Sequence, residues 1–264
     1  MPATDLSTAI RAALLTADPR AKVMATRALV RGWKRGGLAH GFSVAMPDRP
    51  AWPAYLELLP PGQMPKRGKG GSQRNRQALW HALAHIEFVA IDLALDMVGR
   101  FGGQMDRQFT ADFLAVAAEE ALHFAVVDRK LRSLDLRYGD LPAHDGLWRS
   151  AQDTAHDLAA RLAVVPMVLE ARGLDVTPGM IARTRAQGDE PGARILERIL
   201  DDEIRHVAVG ASHFAALCKR RGLQPDSTWV SLVRAHFDGA VKPPFNDSAR
   251  LAAGLSRQAY AALA

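Results

Sequence analysis

Glu120-Ala-Leu-His123 and Glu203-Ile-Arg-His206 are the two Glu-x-x-His segments of this chain, and each follows another glutamate at the same distance. Glu87 stands 33 residues before the first segment, and Glu170 stands 33 residues before the second. Since the chain contains only eight glutamates, the repeated pattern uses half of them. A repeat of this kind indicates two copies of one structural unit.

The spacing inside and between the segments has a physical meaning. Residues three apart on an α-helix share a face, so the Glu and His of each segment can bind one metal ion together. A gap of 33 residues corresponds to one helix, a short turn and half of a returning helix at ~1.5 Å per residue. A Glu from each of two helices plus Glu-x-x-His from each of two others is the ligand set of a dinuclear centre in a four-helix bundle. We therefore predict an all-α fold around such a bundle.

Helical periodicity and turn residues give the predicted elements. Four long helices are expected at 74–101, 107–134, 146–173 and 190–221, and shorter helices at 5–17, 19–34, 178–187, 227–237 and 246–262. Asp5, Asp18 and Asp106 are the expected N-caps. Pro166 lies one turn before Glu170, so it should break the third long helix and free a backbone carbonyl.

The same elements suggest a domain organisation. Residues 1–73 are expected to form N-terminal helices and a proline-rich basic segment that packs on the bundle. Residues 74–221 form the bundle, and residues 222–264 form a C-terminal helical extension. An apolar content of 48% is enough for a sizeable core.

Each of the four glutamates interrupts an apolar stripe at helical spacing, which is where an inward-facing ligand belongs. Around Glu87, for example, the same face carries Trp80, Leu83 and Ile91. Four inward carboxylates would repel one another and carry a large desolvation cost. Two divalent cations would offset much of that charge.

The segments His81-Ala-Leu-Ala-His85-Ile-Glu87, Glu119-Glu120-Ala-Leu-His123-Phe124 and Asp202-Glu203-Ile-Arg-His206 resemble the ferritin-like dimetal-carboxylate superfamily. Within it they look like an uncharacterised bacterial ferritin-like family, DUF455, which is similar to the tRNA-modifying diiron hydroxylases. The resemblance covers residues 74–221 and implies a ferritin-like four-helix bundle. It implies two metal ions held by the six repeated residues Glu87, Glu120, His123, Glu170, Glu203 and His206, with the four glutamates as catalytic carboxylates. Iron is favoured, and manganese accepts the same ligands.

Other polar residues near the motifs have different expected roles. Glu119 and Asp202 each lie one turn before a ligand histidine and can take its second ring N–H. His81, His85 and Asp92 point away from Glu87, so we expect them to form hydrogen bonds to the N-terminal segment rather than bind metal. None of the three tyrosines lies on a predicted ligand helix.

The ligand set favours a nonheme dimetal oxidoreductase that activates O2, a monooxygenase or hydroxylase acting on tRNA or a small molecule. The single Cys218 excludes a Cys-rich site for a built-in electron carrier, so electrons would come from an external donor. A catalase- or peroxidase-like role with peroxide, or metal storage, is the alternative. A structural bundle with a vestigial site is the third interpretation.

Net charge and hydropathy limit which partners and which cell compartment the sequence predicts. The net charge is +6, which permits an anionic partner without requiring one. Part of the excess forms a cluster of candidate nucleic-acid contacts, Lys66, Arg67, Lys69, Arg74 and Arg76. No apolar run reaches the ~18–20 residues of a membrane span, and the start of the chain lacks the pattern of a signal peptide. We expect a cytoplasmic protein that stays off membranes, with its oligomeric state open and a dimer as one option.

Overall fold

A computed structural model describes residues 4–64 and 72–264, and most of these residues are helical. The all-α prediction is confirmed, since the strands of the described residues are the two short segments Thr4–Asp5 (β1) and Leu38–Ala39 (β2), which pair in parallel. The chain divides into two compact units, Met1–Trp148 and Arg149–Ala264. Each unit contains one of the two predicted ligand hairpins. The proposed division at residues 73 and 221 stays a prediction.

The first unit is built on four helices. They are α1 (Leu6–Leu14), α2 (Pro19–Lys34), α3 (Gln73–Phe101) and α4 (Arg107–Arg132). The carboxylates of Asp5, Asp18 and Asp106 accept backbone N–H groups at the starts of α1, α2 and α4, as predicted. α3 and α4 pack along each other, α2 packs on α4, and α1 packs on α3. The N-terminal helices therefore cover the first ligand hairpin.

The turn between α3 and α4 shows why a glycine is needed there. A Cβ at Gly102 would overlap the ring of Phe42, which comes from the segment after β2. The close approach allows that segment to seal the end of the hairpin.

The second unit contains seven further α-helices and one π-helical segment. In chain order they are α5 (Gly146–Asp153, which begins in the first unit), α6 (Leu158–Val164), the π-helical segment (Val165–Glu170), α7 (Ala171–Ala186), α8 (Glu190–Arg220), α9 (Pro225–His236), α10 (Asp247–Ala252) and α11 (Arg257–Ala261). α7 packs along α8, and α6 packs on α9. This is the second ligand hairpin with its C-terminal covering.

The helix predicted at 146–173 starts where predicted, at Gly146, but the prediction was wrong in the middle of the helix and at its C-terminal end. The helix ends after Asp153, where the Thr154 hydroxyl and the Ala151 carbonyl accept hydrogen bonds from the buried guanidinium of Arg161, and Asp157 caps α6. The chain then continues past Gly173 to Ala186, absorbing the short helix predicted at 178–187. The break predicted at Pro166 is present as the π-helical segment, and the nearby Ala163 carbonyl accepts the indole N–H of Trp229 at 3.0 Å.

Pro178 lies inside α7, where a proline leaves the carbonyl four residues earlier without its helical donor. That carbonyl belongs to Leu174, and the side-chain amide of Asn246 donates to it at 3.1 Å. A residue far along the chain thus keeps the helix intact.

The C-terminal helix predicted at 246–262 is instead two helices, α10 and α11. Gly254 separates them with a φ of 80°, a left-handed conformation that glycine adopts without steric cost. The chain can therefore turn between the two helices. Arg250 of α10 bonds to Asp175 of α7.

Candidate metal centre

The first unit gathers three of the predicted ligands. α3 presents Glu87, and α4 presents Glu120 and His123. Their side chains are buried, with relative exposures of 4% for Glu87, 0% for Glu120 and 1% for His123. Their potential ligand atoms lie within 4.8 Å of one another. Two carboxylates and an imidazole at such distances are a donor set that fits a divalent cation, so these residues could hold a metal ion.

The electrostatics of this group favour positive charge at its centre. His123 Nδ1 lies 3.3 Å from Glu120 Oε2 and 3.5 Å from Glu87 Oε2. Burial alone would lower the pKa of His123, but hydrogen bonds to Glu120 and Glu87 and their negative charges raise it to about 11. The two buried carboxylates thus favour a positive charge between them.

The second unit presents the matching pair on α8. His206 is buried, Glu203 has 12% side-chain exposure, and His206 Nδ1 lies 3.6 Å from Glu203 Oε1. The three-residue spacing puts both side chains on one face of the helix, as the sequence predicted.

Glu170 ends the π-helical segment and is half-buried. The segment packs on α8 at a close contact, because a Cβ at Gly210 would overlap the Pro166 ring. α7 and α8 run antiparallel, so the step from Pro166 to Glu170 corresponds to the step from Gly210 back to His206. This register puts Glu170 at the depth of His206. Single π-helical turns within α-helices are frequent at functional sites.

The residues expected to orient the ligand histidines lie beside the motifs. Asp202 is buried, and its carboxylate accepts from Arg198 at 2.6 Å and also from Arg205. Glu119 is half-buried. The bonds predicted between these two carboxylates and the ring N–H groups stay predictions.

Two buried ion pairs were missed at the sequence level. Asp92 on α3 pairs with Lys22 of α2, and both side chains are fully buried. Asp175 on α7 accepts two bonds from Arg250 of α10, at 2.7 and 2.8 Å. Each aspartate stands five residues after a repeated glutamate of its unit. The equal spacing could have revealed these two aspartates, since it extends the repeat of Glu87 and Glu170.

Asp92 confirms the expected contact with the N-terminal segment, because it also accepts the indole N–H of Trp52 at 2.9 Å. Burial raises the pKa of Asp92 to about 6, although the charge of Lys22 opposes the shift. The prediction for the two histidines of the same stripe was wrong about the partner. His85 and His81 bond to the connection that follows α4 rather than to the N-terminal segment.

The hydrogen-bond partners of His85 and His81 define which of their ring nitrogens donate and which accept. The backbone carbonyl of His144 can only accept, so His85 Nε2 donates to it at 3.0 Å and Nδ1 accepts the Tyr138 hydroxyl at 2.9 Å. His81 Nε2 accepts the N–H of Gly139 at 2.9 Å. Burial lowers the pKa of both His81 and His85 to about 4. Both rings are therefore neutral links between α3 and the connection, and Tyr138 is a buried tyrosine beside the ligand hairpin that sequence position did not reveal.

The predicted basic cluster is only partly described. Lys66, Arg67 and Lys69 lie outside the described residues, whereas Arg74 is exposed and Arg76 half-buried in the first turns of α3. Within residues 4–64 and 72–264, none of the helices combines the length and the apolar character needed to cross a membrane.

Comparison with known proteins adds a family match. The family described as "Protein of unknown function (DUF455)" matches residues 15–261. An uncharacterized protein of Haemophilus influenzae is 41% identical over 213 residues, which cover 78% of this chain and 74% of that protein. No solved structure matches.

Proposed function

This chain belongs to the DUF455 family, and from that premise and the geometry of its buried ligands we propose that it is a nonheme dimetal oxidoreductase. One observation carries the proposal: Glu87, Glu120 and His123 converge in a buried group whose ligand atoms lie within 4.8 Å of one another. Buried carboxylates without a cation are costly, so their convergence favours a metal-binding role.

We propose that the ligands of the two units act together. Glu170, Glu203 and His206 repeat the first set in kind and spacing, and a four-helix bundle would bring the two sets to one dinuclear centre. Four carboxylates from two hairpins match the charge of two divalent cations. The support is the repeat, the buried pair His206 and Glu203, and the depth of Glu170 relative to His206.

The residues of the chain would perform binding, positioning and exclusion of water. The four glutamates would hold the cations together with His123 and His206. Ala117 and Ala121 are fully buried on α4 beside Glu120, which keeps bulk water from the carboxylates. When bound, a pair of iron ions supplies the redox chemistry that activates O2, and the electrons come from an external donor.

The substrate in this proposal is tRNA or a small molecule. The tRNA option is supported by the resemblance to tRNA-modifying diiron hydroxylases and by basic residues such as the exposed Arg74. Phosphate contacts make nucleic-acid binding strongly salt-dependent. A steep salt dependence of tRNA binding is expected, and no binding at low salt would remove this option.

The first experiment is the metal content per chain, measured by mass spectrometry on protein produced with iron and manganese both supplied. Wild type should carry about two ions. Glu120→Ala and Glu203→Ala should lose most of them, whereas Glu197→Ala, which removes an exposed glutamate from the same helix as Glu203, should retain them. Circular dichroism checks that each variant is folded.

The metal found in wild type decides which activity is measured next. Iron in wild type leads to a measurement of O2 consumption with a chemical reductant, and manganese leads to a peroxide-disproportionation assay. Wild-type protein that binds neither metal after anaerobic loading with Fe(II) or Mn(II) would contradict the proposal.

A further inference from the structure

The first unit contains a cavity of about 760 Å³ between the start of α2, the last turns of α4 and the connection that follows α4. This volume is in the range that holds small organic ligands. Phe124 and Tyr138 line it, and their rings meet edge to face with centroids 5.4 Å apart. Tyr55 also lines the cavity, and its side chain is 62% exposed. The cavity therefore has an aromatic lining that is reachable from solvent.

Arginines surround the same cavity. Arg132 is paired with Asp128 at 2.7 Å. Arg20, Arg129 and Arg137 are exposed, and among the described residues no ion pair or hydrogen bond engages their guanidinium groups. Guanidinium groups bind carboxylates and phosphates through paired N–H donors, which gives both strength and orientation.

The other acidic groups of the cavity are occupied by backbone donors. Asp18 accepts the N–H of Ala21 at 2.7 Å as the cap of α2. Asp140 accepts the N–H of Arg137 at 2.7 Å. Their capping roles hold these carboxylates at the backbone, so three arginines remain to receive an external anion. A neighbouring cavity of about 590 Å³ shares Arg132, Arg137 and Asp140, so the charged region extends beyond the aromatic part.

The cavity lies on a different face of α4 from the candidate metal ligands. Ala125, Asp128, Arg129 and Arg132 form its stripe on the helix, and at ~100° per residue the middle of this stripe points well away from the face that carries Glu120 and His123. Phe124 stands at the border of the two faces. The cavity is thus a separate binding site rather than part of the carboxylate group.

We propose that this cavity binds an organic anion with a flat apolar body. Its carboxylate or phosphate is held by Arg129 and Arg137, with Arg20 at the opposite side, and its body lies against Tyr55 and Tyr138. The binding requires no metal ion, so it stands independently of the oxidoreductase proposal.

The test uses phenyl phosphate, benzoate and inorganic phosphate as probes, measured by calorimetry on the full chain at fixed ionic strength. One saturable site is expected for phenyl phosphate or benzoate, and the tighter of the two identifies the anionic group. Arg129→Ala and Arg137→Ala should each weaken binding about tenfold. Arg27→Ala removes an exposed arginine of α2 outside the cavity and should leave the affinity unchanged.

A separate variant tests the aromatic lining of the cavity. Tyr55→Ala should bring the affinity for phenyl phosphate down to that for inorganic phosphate, because the exposed ring supplies the contact with the flat body. Equal affinities are expected for metal-free and metal-loaded protein. The proposal is overturned if no probe binds saturably, if Arg27→Ala weakens binding as much as Arg129→Ala, or if binding appears only after metal loading.

Discussion

The two ligand hairpins carry the same polar residues on different local structures. An offset of 83 residues relates Glu87 to Glu170, Asp92 to Asp175 and His123 to His206. The first hairpin consists of two regular α-helices, whereas the first helix of the second hairpin contains a π-helical segment that ends at its glutamate. The polar pattern therefore does not depend on identical backbones.

The apolar neighbours explain the difference between the hairpins. At the same offset, Leu83 and Val127 of the first hairpin correspond to Pro166 and Gly210 of the second. Proline removes a helical donor and disturbs the regular helix, and Gly210 makes room for the Pro166 ring. The second hairpin thus combines a π-helical turn with a close contact between Pro166 and Gly210, one turn from Glu170.

Each hairpin also forms a buried ion pair with a terminal extension through its repeated aspartate. We call these two ion pairs the ties. Lys22 reaches Asp92 from the N-terminal side, and Arg250 reaches Asp175 from the C-terminal side. Two different parts of the chain supply the same kind of cation to equivalent positions. Asp92 and Asp175 each stand five residues after a repeated glutamate, so the two ion pairs occupy equivalent positions in the repeat.

The largest expected effect comes from breaking these ties. Lys22→Met leaves the fully buried Asp92 without its cation, which should lower the free energy of unfolding by about 3–5 kcal/mol. Arg250→Met should cost less, because Asp175 retains Arg172 at 3.5 Å and the N–H of Asn246 at 2.9 Å. Urea denaturation at pH 7.5 measures both.

The control for this prediction is the double variant Lys22→Met with Asp92→Asn, which removes the charge and keeps an acceptor for Trp52. It should recover most of the loss, since the cost arises from an uncompensated buried carboxylate. If Arg250→Met were as damaging as Lys22→Met, the two ties would be equivalent and the difference in remaining donors would not matter.

Sequence reasoning succeeded where local signals agree and failed where distant contacts decide. α3, α4 and α8 match their predicted bounds closely, because caps such as Asp106 mark their starts and apolar stripes run through them. The helix through Gly173 and Pro178 was not predicted, because both residues commonly end helices. The amide of Asn246, which comes from another part of the chain, donates to the Leu174 carbonyl that Pro178 leaves without its helical donor.

In the candidate site, too, local spacing predicted some residues and distant contacts decided the others. The spacing of Glu87, Glu120 and His123 predicted a convergence that the structure shows. The aspartate ties could have been found from the repeat. The partners Lys22 and Arg250 could not, because ordinary charges in amphipathic helices carry no local sign that they will be buried.

The second prediction tests the close approach in the second hairpin. Gly210→Ala places a Cβ against the Pro166 ring, and such overpacking should lower the free energy of unfolding by about 1–3 kcal/mol. Thermal denaturation measures the change.

Gly173→Ala is the matched control in the same hairpin. A Cβ there meets nothing within 4 Å, so replacing a helical glycine should stabilise the protein by about 0.5–1 kcal/mol. Opposite signs for the two substitutions are the expected result. A neutral Gly210→Ala would mean that the π-helical segment can move away from α8, and that the contact does not hold it.

A third expected effect, confined to acidic pH, concerns a pH-dependent link found in the first hairpin. His81 and His85 correspond at the repeat offset to Val164 and Val168. The pKa of His81 is about 4 in the folded protein because of burial, against about 6.5 for an exposed histidine. The unfolded chain therefore binds the proton more readily, and stability is lost as the pH falls from 6.5 towards 4. Between pH 7 and pH 5 this residue alone should remove about 1.5–2 kcal/mol.

His81→Gln retains an acceptor for the N–H of Gly139 but cannot be protonated. Its free energy of unfolding, measured by urea denaturation, should fall less than that of wild type between pH 7 and pH 5, by the amount stated above. At pH 8 the side chain at position 81 is neutral in both wild type and His81→Gln. The difference in free energy of unfolding at that pH is the packing cost of the substitution, and it is subtracted from the differences at lower pH. Parallel curves for the two proteins would show that His81 is protonated in the folded state with little penalty. The first hairpin would then lack the titrating link that distinguishes it from the valine-lined second hairpin.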